Sequence, residues 1–452
     1  TNPNDTANVT GFTPQIRIQP RNGILSLGTA GAPLPSQERL ELVGLRNAGS
    51  AAGAVNIAVV GSAPALATWH ELTPAQAGNP TAPGGKEVHG AGVRITGGAI
   101  TDIADFMRDR LFPATDDLIN DAGSNALPAQ LINAPAQWAA VLKTVARGVE
   151  GEPLMYEWLD LGDRSMFDAY DAIAAVIPNL PPIGSIGNIN AAMRAVCRRI
   201  LNALGRQEAL FALDAAIGRA ERLIYIETPA IDGEAIDADG ANLTWLDTLI
   251  ARLGARPGLH VALCMPRELL PGTPPPLAWV RNDRWHQALP RLLDAGGDRV
   301  AVFSPGAGPF SHVRLASTVV VIDDVWALVG NTHLWRRGLS FDSSLAVAVF
   351  DEANLFGRGT VVSALRVQLA ADRLGVLNTQ IPLVGHEFVA SIRRLAEGGG
   401  AGRLAPGAIP RAPAGETPTA TDLLLWNPDG SVSSDFELDG WLAAAAAHMT
   451  SD

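Results

Sequence analysis

The stretch Val319–Gly330, VVVIDDVWALVG, constrains the fold more than any other part of the chain. Two short apolar runs, rich in β-branched residues, flank Asp323 and Asp324. Runs of that length and composition read as buried strands, and paired Asp residues between them favour a turn through local hydrogen bonding. A polar stretch with His333, Arg336 and Arg337 follows, and then another apolar run that ends at Asp351. The pattern predicts strand, turn, strand, polar loop, strand.

Apolar strands alternate with amphipathic helices just upstream. Leu223–Glu227, His260–Met265 and Val300–Phe303 read as strands, while Glu208–Ala220, Leu243–Leu253 and Trp285–Ala295 read as helices. Strands that are apolar throughout need cover on both faces, so the expected class is an α/β sheet between helices. Earlier in the chain, Leu40–Leu45 and Val55–Gly61 suggest a hairpin, and Val93–Ile95 a third strand. Ala99–Phe112 has apolar residues at helical spacing, and Ala136–Arg147, Ser165–Val176 and Ile189–Leu204 are read as helices too. Pro178–Gly187 breaks the last two.

Residues 1–36 are rich in Asn, Thr, Pro and Gly and read as an extended arm. Glu397–Ala420 is rich in Gly, Ala and Pro and reads as a linker, followed by an Ala-rich helix at Leu438–His448. The expected divisions are therefore 1–36, 37–200, 201–396 and 397–452.

The 452 residues include 34 basic and 46 acidic side chains, a net charge of -12. That balance disfavours nucleic acid as the main partner, since phosphate polymers are bound largely by Lys and Arg. No apolar run reaches the ~18 residues of a membrane span, and no signal peptide is recognised, so the compartment stays open. Cys197 and Cys264 sit in apolar surroundings as small hydrophobes, and no motif for a metal or cofactor occurs. Gly398–Gly400 lacks the strand–helix context of a phosphate loop, and there is no Gly-x-Ser-x-Gly elbow.

Several segments in order resemble the phospholipase D superfamily. Ala209–Glu227, Gly258–Pro266, Val319–Gly330, Arg336–Glu352 and Ala364–Gly375 resemble its second half. Val55–His70 and Val88–Arg110 resemble part of its first half. The resemblance implies pseudo-two-fold α/β/α lobes with mixed sheets. The first lobe would be incomplete, with a helical insertion, and extended arms would lie at both ends. It also implies phosphodiester chemistry, in which one His attacks phosphorus, a second protonates the leaving group, and each signature reads His-x-Lys-x4-Asp-x6-Gly-Ser-x-Asn.

Counting back from Gly330 puts Asp323 at the signature Asp, Ala316 at the His and Thr318 at the Lys; Asn331 and His333 stand for the Ser and Asn. Four residues upstream, His312 and Arg314 repeat the His-x-basic pair, ~13 Å away along a strand. Counting back from Gly61 finds Asn47, Gly49 and Ala54, and no His-x-Lys occurs in the chain.

The candidate catalytic set is His312, Arg314 and Asp323. The candidate ligand-binding set is Glu227, Asn331, His333, Arg337 and Asp342, with Arg336 and Arg337 also able to pair with Asp342 and Asp351. Two functions compete. The chain is a phospholipase D-like protein without phosphodiesterase activity, binding a phosphodiester or other anion or serving in an assembly. Alternatively it is a divergent phosphodiesterase or phosphatidyltransferase built on His312, its second half-site supplied by another segment, a partner chain or a second copy.

Overall fold

The computed structural model describes residues 24–26, 33–35, 38–39, 42–45, 57–61, 88–95, 99, 102–103, 137–145, 206–238, 241–267, 275–307, 314–351, 354–355, 358–397, 401–403 and 418. The expected N-terminal arm, the helices Ser165–Val176, Ile189–Leu204 and Leu438–His448, Cys197 and His312 lie wholly or largely outside these residues.

In chain order, the main elements begin with strands β1 (Leu42–Leu45), β2 (Ile57–Gly61), β3 (Gly92–Ile95) and β4 (Gln137–Val145). Then come α1 (Glu208–Ile217), β5 (Leu223–Glu227), α2 (Trp245–Ala255), β6 (His260–Cys264), α3 (Pro275–Gly296) and β7 (Val300–Ala307). Next come β8 (Thr318–Ile322), β9 (Trp326–Gly330), α4 (Arg336–Ser340) and β10 (Ser343–Asp351). Helices α5 (Thr360–Leu374) and α6 (Gly385–Glu397) and strand β11 (Ala401–Arg403) follow.

The fold is mixed α/β. One ten-stranded sheet runs in the order β11-β7-β6-β5-β8-β9-β10-β4, ending on the short pair Arg206–Gln207, and Glu38–Arg39 adds to β10. Strands β5, β6 and β7 are parallel, as the helical crossovers between them require. From β8 to β4 the sheet is antiparallel. The expected hairpin β1–β2 forms, with β3 added, as a separate three-stranded sheet.

Strand alternation divides the core. Ile224, Ile226, Val320, Ile322 and Leu328 pack against α1, α2 and α3. Leu223, Tyr225, Val319, Val321 and Val329 pack against α5 and α6. All five residues of β5 and of β8 are buried, as strands covered on both faces must be.

Residues 137–145, expected as a helix, form a strand instead. QWAAVLKTV carries helix-favouring Ala, Leu and Lys, but it has Val141 and Leu142 to bury and pairs with β10 from Ser344↔Thr144 to Asp351↔Gln137. An unpaired β10 edge would leave a ladder of backbone groups without partners, and that cost overrides a weak local propensity. Lys143 N–H then donates to Glu208 Oε2 at 3.0 Å.

Two other local readings change. Helix α3 starts ten residues before the expected Trp285, with Pro275 at its first position, where proline's fixed φ suits a helix start and its missing N–H costs nothing. The polar loop after β9 contains the short helix α4. Glycine is required at Gly330, where an added Cβ would lie 2.3 Å from Leu345 O, because β10 crosses closely there.

Candidate functional site

The carboxyl ends of β5 and β6, the start of β8 and the end of β9 meet at one pole of the sheet. Buried polar side chains collect there: Thr228, Asp232, Thr318, Asn331, Thr332, His333, Arg337, Asp342 and Ser344. Ligands in open α/β folds gather at such a pole.

Thr318 is the residue that the sequence count sets opposite the Lys of the resembled motif. Its Oγ1 lies 3.1 Å from Thr228 Oγ1. Thr228 donates its own hydroxyl proton to Ala230 O at 3.0 Å, so Thr318 is the donor in this pair. Thr228 Oγ1 also accepts Leu334 N–H at 3.3 Å. The hydroxyls are thus consumed in fastening the loop after β9 to the loop after β5. Ala316, which the same count sets opposite the His, is buried and apolar.

Asn331 is buried, and among the described residues its Oδ1 has no hydrogen-bond partner. Thr332 Oγ1 lies 2.7 Å from Ser344 Oγ. His333 is buried beside them, and its carbonyl is approached so closely by Gly338 that an added Cβ would lie 2.4 Å from it. Arg337 and Asp342 form a fully buried ion pair, with Nε at 2.9 and 3.0 Å and Nη2 at 2.6 Å from the carboxylate. The structure therefore brings Asn331, His333, Arg337 and Asp342 to one pole, with Arg337 and Asp342 committed to each other. Arg336 pairs with Glu234, and Asp351 caps α5 through Val361 N–H and Val362 N–H at 2.7 and 3.2 Å.

Glu227 is close in the chain but lies on the other sheet face, among the residues packed on α5 and α6. Its Oε1 accepts the Tyr225 hydroxyl at 2.5 Å, and its Oε2 accepts Arg373 Nε and Nη2 at 3.2 and 3.1 Å. Burial, reinforced by the Glu227 carboxylate, pushes the Tyr225 phenol well above its usual range. Burial is the largest single influence on the Arg373 guanidinium and works to lower it, but the Glu227 charge, Tyr225, Cys264 and the hydrogen bond to Glu227 together raise the net value.

Asp323 stands at the opposite pole. It occupies the β8–β9 turn, and five residues of strand at ~3.3 Å each separate it from Thr318 by roughly 16 Å. Asp323 and Asp324 have φ of 54° and 60°, a left-handed pair that Asp tolerates, and Val325 N–H closes the turn on Ile322 O at 3.1 Å. The Asp323 carboxylate accepts the backbone N–H groups of Glu221, Arg222 and Leu223 at 2.8, 2.7 and 2.9 Å. Asp324 takes a bidentate bond from Arg366, Nε at 2.6 Å and Nη2 at 2.9 Å. Both carboxylates serve to fix the hairpin. A cavity of about 140 Å³ opens beside this turn, lined by His260, His386 and Leu383 among others.

Arg314 does not continue β8. With Leu315 it forms a separate short strand, parallel to Val88–His89, and it is buried. The break at Ala316–Ser317 is held by Ala91 N–H donating to Ser317 Oγ at 2.7 Å. Arg314 and Asp323 are therefore not brought together.

The residues that sequence reasoning passed over are arginines of helices: Arg366 and Arg373 on α5, and Arg281 and Arg284 on α3. One signal was present. Arg366 and Arg373 stand seven residues apart, on the same apolar face as Leu369 and Ala370, where an unpaired charge is not tolerated. Among the described residues, no group of three or more His, Cys, Asp or Glu is arranged to hold a metal. No described helix is long and apolar enough to cross a membrane.

No protein-family description and no curated protein matches this sequence. Solved structures do show similarity. One is a phospholipase D family member, Nuc, from Salmonella typhimurium, at 15% identity over 37% of this chain and 88% of that one, with a TM-score of 0.25. A second is phosphatidylserine synthase from Haemophilus influenzae, at 12% identity over 69% of this chain and 62% of that one, with a TM-score of 0.31. NucT from Helicobacter pylori aligns at 13% identity over 32% of this chain and 80% of that one, with a TM-score of 0.23.

Proposed function

We propose that this chain is a phospholipase D-like protein without phosphodiesterase chemistry, acting as a binding or structural component of an assembly. The observation that carries the reading is the state of Thr318. A signature Lys would stabilise charge on a transferring phosphoryl group. A neutral hydroxyl already donated to Thr228 offers no such charge, and Ala316 beside it has no nucleophile or proton to give. Among the site residues, Arg337 is tied to Asp342 and Asp323 is tied to backbone at the far pole. Ala401–Arg403 joins the sheet as β11; the rest of the divisions 1–36 and 397–452 belongs to this reading as segments that wrap neighbours, their ordering cost met on contact.

The test is direct. Purified protein is assayed against bis(p-nitrophenyl) phosphate and phosphatidylcholine. The reading expects release no faster than buffer, unchanged in His312→Ala. Turnover that disappears in His312→Ala would replace it with a phosphodiesterase whose second half-site comes from elsewhere. Sedimentation at low micromolar concentration checks the assembly role: a particle heavier than one 47.3 kDa chain is expected, either as copies of the chain or with an added partner.

A further inference from the structure

Two histidines stand together at the pole opposite Thr318. His260 opens β6, and His386 lies in the first turn of α6. Their ring centroids are 6.1 Å apart, with the ring planes at 51°. Both line the cavity of about 140 Å³ beside the β8–β9 turn, which has room for an ion that keeps a few of its waters.

The backbone seats both residues. His260 N–H donates to Arg222 O at 3.0 Å. Gly385 packs on the same spot, where an added Cβ would lie 2.8 Å from Arg222 O and 3.6 Å from His260 Cβ. Phe388, Val389 and Ile392 are buried and hold α6 against the sheet. The start of α6 is thus fixed on the start of β6, and a site carried by a strand and a helix keeps its geometry.

One hydrogen bond decides what His260 can take. Its Nδ1 lies 2.9 Å from Gly258 O. A carbonyl only accepts, so Nδ1 carries the proton, and in the neutral ring Nε2 keeps its lone pair. Metal-binding histidines are arranged in this way, the second nitrogen donating to a carbonyl or carboxylate and fixing the tautomer. An anion would need a donor that this nitrogen does not offer. His386 is exposed, and exposed side chains change rotamer readily, so its ring can turn toward the same space.

The separation suits one shared ion. With metal–nitrogen bonds of about 2.0–2.1 Å and a ring centre roughly 1.1 Å behind each nitrogen, two imidazoles on one ion have centres about 5–6.5 Å apart, according to the angle between them. The observed 6.1 Å falls inside that range. Charge at the cavity is close to balanced: Arg222 and Asp323 both line it, and Asp324 is held by Arg366. The positive end of α6 works against a cation, and Glu387 in its first turn works the other way. Selection therefore rests on imidazole nitrogen, which suits Zn²⁺, Ni²⁺ and Cu²⁺ rather than Mg²⁺ or Ca²⁺.

We propose that His260 and His386 form a two-histidine binding site for a divalent transition-metal ion of the Zn²⁺ class, with water in the remaining positions. Two protein ligands are its full complement among the described residues, where no third His, Cys, Asp or Glu is arranged beside them. The ion ties the start of β6 to the start of α6, and because it binds the folded chain it stabilises that state. Ala316 and Thr318 take no part in the site, which does not rest on the non-catalytic reading.

The experiment is calorimetric titration of the full chain, first freed of metal with a chelator, using ZnCl₂ and, separately, MgCl₂. One Zn²⁺ per chain is expected, with no saturable heat from Mg²⁺. H260Q and H386Q should each weaken Zn²⁺ by at least tenfold, while H286Q, on α3, should bind as wild type does. His386 is exposed, so H386Q tests the site even if H260Q fails to fold. Zn²⁺ should raise the melting temperature of wild type and leave that of H386Q unchanged. Cu²⁺ bound to wild type should show hyperfine coupling to two nitrogens in its electron paramagnetic resonance spectrum. A Zn²⁺ dissociation constant of about 1 mM or weaker means an adventitious ion only and overturns the proposal. Mg²⁺ binding as tight as Zn²⁺, or Zn²⁺ binding that H386Q leaves unchanged, overturns it as well.

Discussion

Arg373→Met tests the buried framework at its most heavily loaded point. The Arg373 and Glu227 side chains are 2% and 1% exposed, and they share two hydrogen bonds of 3.1 and 3.2 Å. Removing the cation leaves a buried carboxylate that, among the described residues, keeps only the Tyr225 hydroxyl as a hydrogen-bond donor. Breaking one side of a buried pair typically costs about 3–5 kcal/mol, because the charge left behind stays desolvated. The loss should be large for a domain whose whole stability is of the order of 5–15 kcal/mol. Replacing both partners, as Glu227→Gln with Arg373→Met, removes the stranded charge and should recover about half or more of that loss. Urea unfolding followed by tryptophan fluorescence gives the midpoints for wild type, both single variants and the double variant. A single variant within about 1 kcal/mol of wild type, or a double variant as unstable as the sum of the singles, would refute the reasoning.

Asp323→Ala removes the acceptor of three backbone N–H groups and should cost about 2–4 kcal/mol in the same assay. Gly338→Ala sets a Cβ 2.4 Å from His333 O, and should lower the melting temperature by several degrees. His260 is held below its ordinary value, chiefly by burial and further by His386 and Arg299, against the opposing bond to Gly258 O. The folded state then binds the proton less well than the unfolded state. Its contribution to stability is complete above about pH 6.5, and it is lost as pH falls from there through the lower folded value. A pH series of melting temperatures should therefore drop below about pH 6.5, and His260→Gln should flatten that drop.

Strand character was legible in the sequence where it was redundant. VVVIDDVWALVG carries its own turn, its own apolar strands and a glycine forced by close packing, so local and tertiary signals agree. Residues 137–145 were not legible in this way, because QWAAVLKTV suits either period and only the edge of β10 decides. The α3 boundary was obscured by its prolines. At the candidate site, counting the signature located Thr318, Asn331 and His333, whose neighbourhood the fold then assembled. Counting could not reveal that Asp323 and Thr318 sit at opposite poles, since a motif is linear and a hairpin separates its ends. It also passed over Arg281 and Arg284, which belong to a helix far along the chain from the residues they surround.

The central claim is that the phosphoryl-transfer machinery is absent from the signature segment. Its chemical consequence is the absence of a phospho-histidine intermediate. The most direct measurement is the intact mass of the protein after minutes of incubation with a phosphodiester and a denaturing quench at alkaline pH, where phospho-histidine survives. The account predicts the unmodified mass at every time point. A substrate-derived adduct mapped to His312 would contradict it.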